Sequence, residues 1–205
     1  MNNDTSTKID YVKLENVPAA LNIASTELGS DYLTEEDFLE VLDTNDGFCM
    51  ISTNNGIVSG FSICKIFGPS KIDKMLALPD CDERDILTNF KTIGLLDSVA
   101  VAHEMKGKGI GGKLLDACCK ELIEKGAEVL CAMAWKDVDG NVNIDSLLRK
   151  LGMFPSIEIT GYWNRFVASP GGHDCPVCGR PCKCSAVLYI KHIERTVSKN
   201  GLCVK

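Results

Sequence analysis

Apolar positions recur along the chain with two periods, and the switches between them predict an α/β protein. Residues 9–14 alternate, with Ile9, Tyr11 and Lys13 on one face and Val12 and Leu14 on the other, as in a strand. Val17, Ala20, Leu21, Ala24 and Leu28 then fall at helical spacing, with Pro18 in the first turn and Gly29 as the stop. Thr34-Glu35-Glu36-Asp37 opens a second helix, whose apolar face is Phe38, Val41 and Leu42. Residues 47–53 and 57–67 are strands rich in Phe, Ile, Val and Cys, and Asn54-Asn55-Gly56 joins them as a hairpin turn. Residues 68–90, broken by Pro69 and Pro79, read as an insertion, a lid or surface segment with a short helix near 82–89.

Residues 93–101 are almost continuously apolar, interrupted by Asp97 and Ser98, which suggests a central strand buried on both faces. A glycine-rich stretch follows, Lys106-Gly107-Lys108-Gly109-Ile110-Gly111-Gly112. It opens a helix that carries Ile110, Leu114, Leu115, Cys118 and Leu122 on one face and ends at Gly126. Residues 129–135 form a second buried strand, and residues 141–151 a short helix with Ile144, Leu147, Leu148 and Leu151 inward. Residues 157–163 and 186–191 are the last strands. Residues 1–8 are expected to be disordered, and residues 193–205 to form a polar tail. The order β-α-α-β-β-β-α-β-α-β-β describes one α/β domain, residues 9–192, with a sheet of mixed strand directions.

Charge and composition narrow the function. A net charge of −6 argues against a protein that binds nucleic acid by neutralising phosphates. No run approaches the roughly 20 apolar residues of a membrane span, and the first residues lack the apolar core of a signal peptide. The expectation is a cytoplasmic protein without membrane or nucleic-acid partners, a monomer or a homodimer. Its eleven cysteines then serve as core residues, metal ligands or nucleophiles.

Strand, glycine-rich loop, helix, strand is the layout of an anion site. Glycines let backbone N–H groups approach a phosphate, and the helix adds the positive end of its dipole. Gly107-x-Gly109-x-x-Gly112 matches the dinucleotide fingerprint, but residues 102–106 separate it from its strand, and the next strand ends in Ala134-Trp135, with no acidic residue for a ribose. Gly107-x4-Gly112-Lys113 matches most of a Walker loop, but Leu114 replaces the Ser or Thr that would ligate magnesium. The third match accounts for the context. Residues 95–101, a short link and Lys106-x-x-Gly109-x-Gly111 resemble the coenzyme A motif of the GNAT N-acetyltransferases, with lysine where that family has Arg or Gln. Asn141 followed by residues 147–153 is similar to the family's later Asn…Leu-Tyr-x-Lys-x-Gly-Phe motif.

The resemblance implies a GNAT acyl-CoA N-acyltransferase fold, a mixed central sheet with a splayed pair of parallel strands. It implies acetyl-CoA as co-substrate, with its pyrophosphate on the amides of Lys106, Gly107, Lys108, Gly109, Ile110, Gly111 and Gly112. The pantetheine would lie along the backbone of Val99, Ala100 and Val101 and touch Asn141. The acetyl group would pass by direct attack to a primary amine, on a small molecule or a peptide. The family's proton-donating tyrosine is replaced by Leu148, which leaves Tyr162, Cys131 or a water as the acid. Asp97, expected on the face of Val99 and Val101, is the candidate base. Loss of the tyrosine also admits a non-catalytic module that senses coenzyme or metal, and the Walker-like match admits a nucleotide-dependent enzyme.

Cys175-Pro-Val-Cys178-Gly-Arg-Pro-Cys182-Lys-Cys184 sets four thiols in ten residues and resembles the knuckle of zinc ribbons and rubredoxins. Four thiolates suit a structural zinc, with iron, a disulfide pair or no metal as alternatives, and with His173 or Cys203 as substitute ligands. Within the implied fold, residues 164–184 join the last two strands and form a metal-pinned flap beside the acceptor pocket.

Overall fold

The computed structural model describes residues 7–165, 171–198 and 201–204. The expected disordered start therefore lies outside the described residues, save Thr7 and Lys8, which begin the first strand. In chain order the elements are β1 (Thr7–Tyr11), α1 (Val17–Leu28), α2 (Glu35–Asp43), β2 (Gly47–Asn54), β3 (Ile57–Phe67), α3 (Ile72–Leu76), α4 (Asp82–Leu87) and β4 (Ile93–Val101). There follow α5 (Ile110–Glu124), β5 (Val129–Lys136), α6 (Asp145–Lys150), β6 (Phe154–Thr160), β7 (Ser185–His192), β8 (Arg195–Ser198) and β9 (Gly201–Val204).

Local chemistry sets several of these boundaries. Thr34 caps α2 with a reciprocal box, its N–H donating to the Asp37 carboxylate at 2.8 Å. Asn55 and Gly56 both take positive φ, 51° and 80°, the turn that a tight hairpin between β2 and β3 requires.

Seven strands form one sheet in the order β1-β2-β3-β4-β5-β7-β6. Only β4 and β5 among these neighbours run parallel. Helix α5 covers one face, burying Leu114, Leu115, Cys118 and Leu122 against Leu96, Leu130 and Ala132. On the other face α1 and α2 bury Ala20, Ala24, Phe38 and Val41 against Phe61, Ile63 and Ala100. Farther along that face, α3, α4 and the cysteine loop cover Ile93, Leu95, Val129, Cys131 and Leu188.

Four expectations are revised. Residues 68–90 are not a surface insertion: Ile72, Leu76 and Leu87 are buried core residues, and the segment roofs the sheet. The helix expected over 141–151 is confined to Asp145–Lys150, because the Asp137 carboxylate accepts the N–H groups of Asp139 and Asn141 and folds this stretch as a turn. The strand expected over 157–163 starts earlier and ends at Thr160; Gly161, with φ 64°, leads into a 3-10 turn holding Tyr162 and Trp163. The tail forms a small hairpin, β8 with β9. Among the described residues no helix is long and apolar enough to cross a membrane.

Candidate active site

The site begins where the sheet opens. β4 pairs with β5 only from Ile93↔Val129 to Leu96↔Ala132. Beyond Leu96, β4 stays paired to β3 through Ser98, Val99, Ala100 and Val101, so its other edge has no strand partner among the described residues. That edge offers N–H and C=O groups to an extended ligand added as a strand. A β-bulge lies at the same place. Ile63 pairs with Ser98 and Cys64 with Leu96, leaving Asp97 as an extra residue.

The bulge changes the expected direction of Asp97. Val99 and Val101 face α5 with Leu96, whereas the Asp97 carboxylate lies 3.9 Å from Lys65 Nζ on the other face. One inserted residue reverses the alternation, so Asp97 does not share the face of Val99 and Val101. Burial pushes its carboxyl above the usual range; Lys65 opposes that shift and Asp37 adds to it.

The glycine loop closes the other end of the opening. Gly107 and Gly109 both have φ 76°, a conformation side chains rarely adopt, and a Cβ at either position would meet nothing within 4 Å. Gly111 and Gly112 are different, because they lie in the first turn of α5. A Cβ there would meet only Leu147 and Val101 at 3.6–3.7 Å, an ordinary contact. Each glycine costs the helix about 1 kcal/mol relative to alanine. The fold itself does not demand them, and their small size keeps the helix N-terminus, a place where backbone N–H groups can receive an anion, open to approach.

A cavity of about 530 Å³ joins these parts. Its lining includes Val99, Ala100, Val101, Lys106, Gly107, Gly109, Ile110, Gly111 and Gly112, as the sequence suggested; Lys108 is not among the lining residues. Lys106 forms an ion pair with the largely buried Glu27 across this lining. Asn141 is not a lining residue. Its amide binds Asp137, and Asn143, two positions on, faces the cavity instead. Leu148 lines the cavity and is fully buried.

The acetyltransferase (GNAT) family model matches residues 17–153. The chain belongs to the GNAT family. No curated protein sequence matches it, but many solved structures share the GNAT fold. The ribosomal-protein-S18-alanine N-acetyltransferase of Escherichia coli is 16% identical, with a TM-score of 0.63 over 95% of this chain and 98% of that one. The ribosomal-protein-alanine N-acetyltransferase of Brucella melitensis is 18% identical, with a TM-score of 0.60 over 90% and 99%. The polyamine N-acetyltransferase of Drosophila melanogaster is 10% identical, with a TM-score of 0.62 over 91% and 100%. At these identities the likeness is one of fold.

Where many GNAT chains have a tyrosine this one has Leu148, so the remaining proton donors matter. The Tyr162 hydroxyl donates to the Leu76 carbonyl at 2.9 Å, and burial raises its phenol. Cys131 lies in the core on the α3 side, lines neither of the cavities at the opening, and is pushed up to about 12 by burial. Tyr32, which sequence reasoning passed over, borders both this cavity and a second one of about 560 Å³. Burial and then Asp97 raise its phenol, so it keeps its proton at neutral pH. It comes from the turn between α1 and α2, where no periodicity marks it.

The cysteine loop sits between β6 and β7, and residues 166–170 within it lie outside the described residues. The sulfurs of Cys175, Cys178, Cys182 and Cys184 all lie within 4.8 Å of one another. Three of the separations are 3.6, 3.8 and 3.9 Å. Four thiolates at about 2.3 Å from one tetrahedral ion would stand about 3.8 Å apart, whereas a disulfide needs about 2.05 Å. The Val177 and Cys178 N–H groups donate to Cys175 Sγ at 3.4 Å, and Lys183 N–H donates to Cys178 Sγ at 3.1 Å, the bonds that suit thiolate ligands. Burial raises Cys178, but the Lys183 N–H and the neighbouring sulfurs outweigh it and bring the thiol down to about 7, whereas burial pushes Cys184 up to about 11 and Cys182 higher, so it is the spacing of the sulfurs that decides. The four residues therefore fit a metal ion. His173 is outside this group, with Nδ1 3.7 Å from Asp31, and the Cys203 side chain lies outside the described residues.

The loop is tied to the turn between α1 and α2. Arg180 pairs with Asp31 at 2.6 Å, Ser30 donates to Asp174 at 3.2 Å, and His173 meets the Tyr32 ring edge-on at 5.3 Å. Asn164 fixes its base by accepting the N–H groups of His173 and Cys182, both at 3.0 Å.

Proposed function

We propose that this GNAT protein transfers an acetyl group from acetyl-CoA to a primary amine by direct attack. The observation that carries the reading is the edge of β4, without a strand partner among the described residues, leading to a helix N-terminus whose Gly111 and Gly112 the fold does not need. Amides of residues 106–112 would hold the pyrophosphate, and the free edge of residues 99–101 the pantetheine, with Asn143 in the place expected of Asn141.

Asp97 borders both cavities and is the proposed base. It takes the proton of the arriving ammonium, and the neutral nitrogen then attacks the thioester carbonyl. A C–N bond forms, the C–S bond breaks, and a backbone N–H near Val99 stabilises the oxyanion. The departing thiolate takes the proton that the acylated nitrogen sheds, relayed by the Tyr32 hydroxyl at the cavity wall, whereas Tyr162 is engaged by Leu76. We assign zinc to the four cysteines as a structural ion, because four protein thiolates leave no open position. The flap it pins would border the acceptor pocket of a domain spanning residues 9–192.

Incubation with acetyl-CoA and an amine panel, followed by mass spectrometry of CoA and N-acetyl product, tests this reading. Equimolar appearance of both supports it. The buried Leu148 is the observation that favours the second reading, a non-catalytic sensor, and coenzyme binding without product on any amine would select it.

A further inference from the structure

The second cavity, of about 560 Å³, shares Tyr32, Asp97, Ser98, Met133 and Trp163 with the first, so a molecule within it reaches the opening of the sheet. Its chemistry is uneven. Among the described residues three carboxylates line it, those of Asp31, Asp37 and Asp97, against the single cationic side chain of Lys65. Asp31 is matched by Arg180 at 2.6 Å. Lys65 stands 3.9 Å from Asp97, longer than a hydrogen bond. The Asp37 carboxylate accepts from the Thr34 N–H and hydroxyl at 2.8 and 3.0 Å, both neutral donors.

Aromatic rings supply an independent sign. Tyr32 and Trp163 meet edge to face at 5.9 Å, and Tyr162 and Trp163 at 5.0 Å, all three lining this cavity. Aromatic faces beside carboxylates favour organic cations. A carboxylate-bearing acceptor would face Asp31, Asp37 and Asp97 together.

We infer that the acceptor is a primary amine carrying a second, non-reacting cationic group, held by Asp37 and the aromatic rings while the first nitrogen reacts at Asp97. The reacting nitrogen must be uncharged at attack, so it cannot balance Asp37; a second cation does. This rests on the transferase reading and names its substrate class.

The test uses the metal-loaded protein, acetyl-CoA and three acceptors of matched length: 1,4-diaminobutane, 1-aminobutane and 4-aminobutanoate. The expected kcat/KM for the diamine exceeds that for the monoamine by about tenfold or more, the range of a charge-assisted contact, and the amino acid is the poorest. Asp37→Asn, which keeps a side chain able to accept the Thr34 N–H, brings the ratio of diamine to monoamine toward one, with thermal melting as the check on folding. A monoamine equal to the diamine, or a ratio unchanged in the variant, overturns the substrate class and leaves the transferase reading standing. No product from any of the three overturns this inference, and no product from the wider amine panel either, with acetyl-CoA still bound in a calorimetric titration, overturns the transferase reading with it.

Discussion

The imidazole of His173 lies against the backbone of Gly29 so closely that a Cβ on Gly29 would come within 2.5 Å of His173 Cε1. The same Cβ would stand 2.4 Å from the Asp174 carbonyl oxygen, and Gly29 has φ 118°. The end of α1 is thus the seat of the cysteine loop. Gly29→Ala should unseat the loop and lower stability by about 1–3 kcal/mol. Acceptor KM should rise about tenfold, while the acetyl-CoA Kd stays within about twofold, because the glycine loop is untouched. Melting curves and separate titrations of the two substrates read these effects.

Metal removal should act in the same direction. A chelator that strips the ion, with loss confirmed by elemental analysis, loosens the loop carrying Arg180 and His173 and so disturbs Asp31 and Tyr32. Acceptor binding should weaken more than coenzyme binding, and restoring zinc should recover it. Equal loss of both would count against this placement of the loop.

Asp97 links pH to both rate and stability. Its carboxyl is raised in the folded protein by burial, against Lys65 and with Asp37. The folded state therefore favours the protonated acid: that contribution is fully present below the unfolded carboxylate range and is lost as pH rises through the raised folded value. The rate runs the opposite way, since a base works when deprotonated, and kcat/KM should climb through the same window. Asp97→Asn should flatten the climb and lower kcat by about 100-fold or more, while the melting temperature at neutral pH holds or rises.

Glu27 places a carboxylate on Lys106 within the cavity assigned to the coenzyme. A pyrophosphate must compete with it for that cation and tolerate its charge. Glu27→Gln should lower the acetyl-CoA Kd by about two- to fivefold, most at low salt, and Lys106→Ala should raise it. Titrations at two ionic strengths decide the matter.

Much of this architecture is visible in the sequence because single residues carry it. Asn55-Gly56 dictates the hairpin, Thr34 and Asp37 the cap of α2, and Gly107 and Gly109 the left-handed turn that leads into α5. Cys175, Cys178, Cys182 and Cys184 converge as their spacing implies, because one short loop supplies all four. What eluded the sequence depends on tertiary contact. A bulge at Asp97 adds one residue to β4, which alternation alone does not register, and it turns the carboxylate to the opposite face. Asn143 and not Asn141 lines the cavity, because Asp137 folds a turn around Asn141. Tyr32 enters the site from a connecting turn, and residues 68–90 look like a loop although Leu76 and Leu87 are as buried as any strand residue.

The central claim is that the amides at the start of α5 hold acetyl-CoA, and Gly111 gives the most direct test. A Cβ there meets only ordinary contacts from Leu147 and Val101, and glutamate suits the first turn of a helix, so folding should be unharmed. Its carboxylate would occupy the anion cradle. Calorimetric titration of acetyl-CoA should show one site on the unaltered protein, with a Kd on the order of 1 μM to 1 mM, and no measurable binding to Gly111→Glu at an unchanged or higher melting temperature. Equal binding by the two proteins, or none by the unaltered one, would contradict the account.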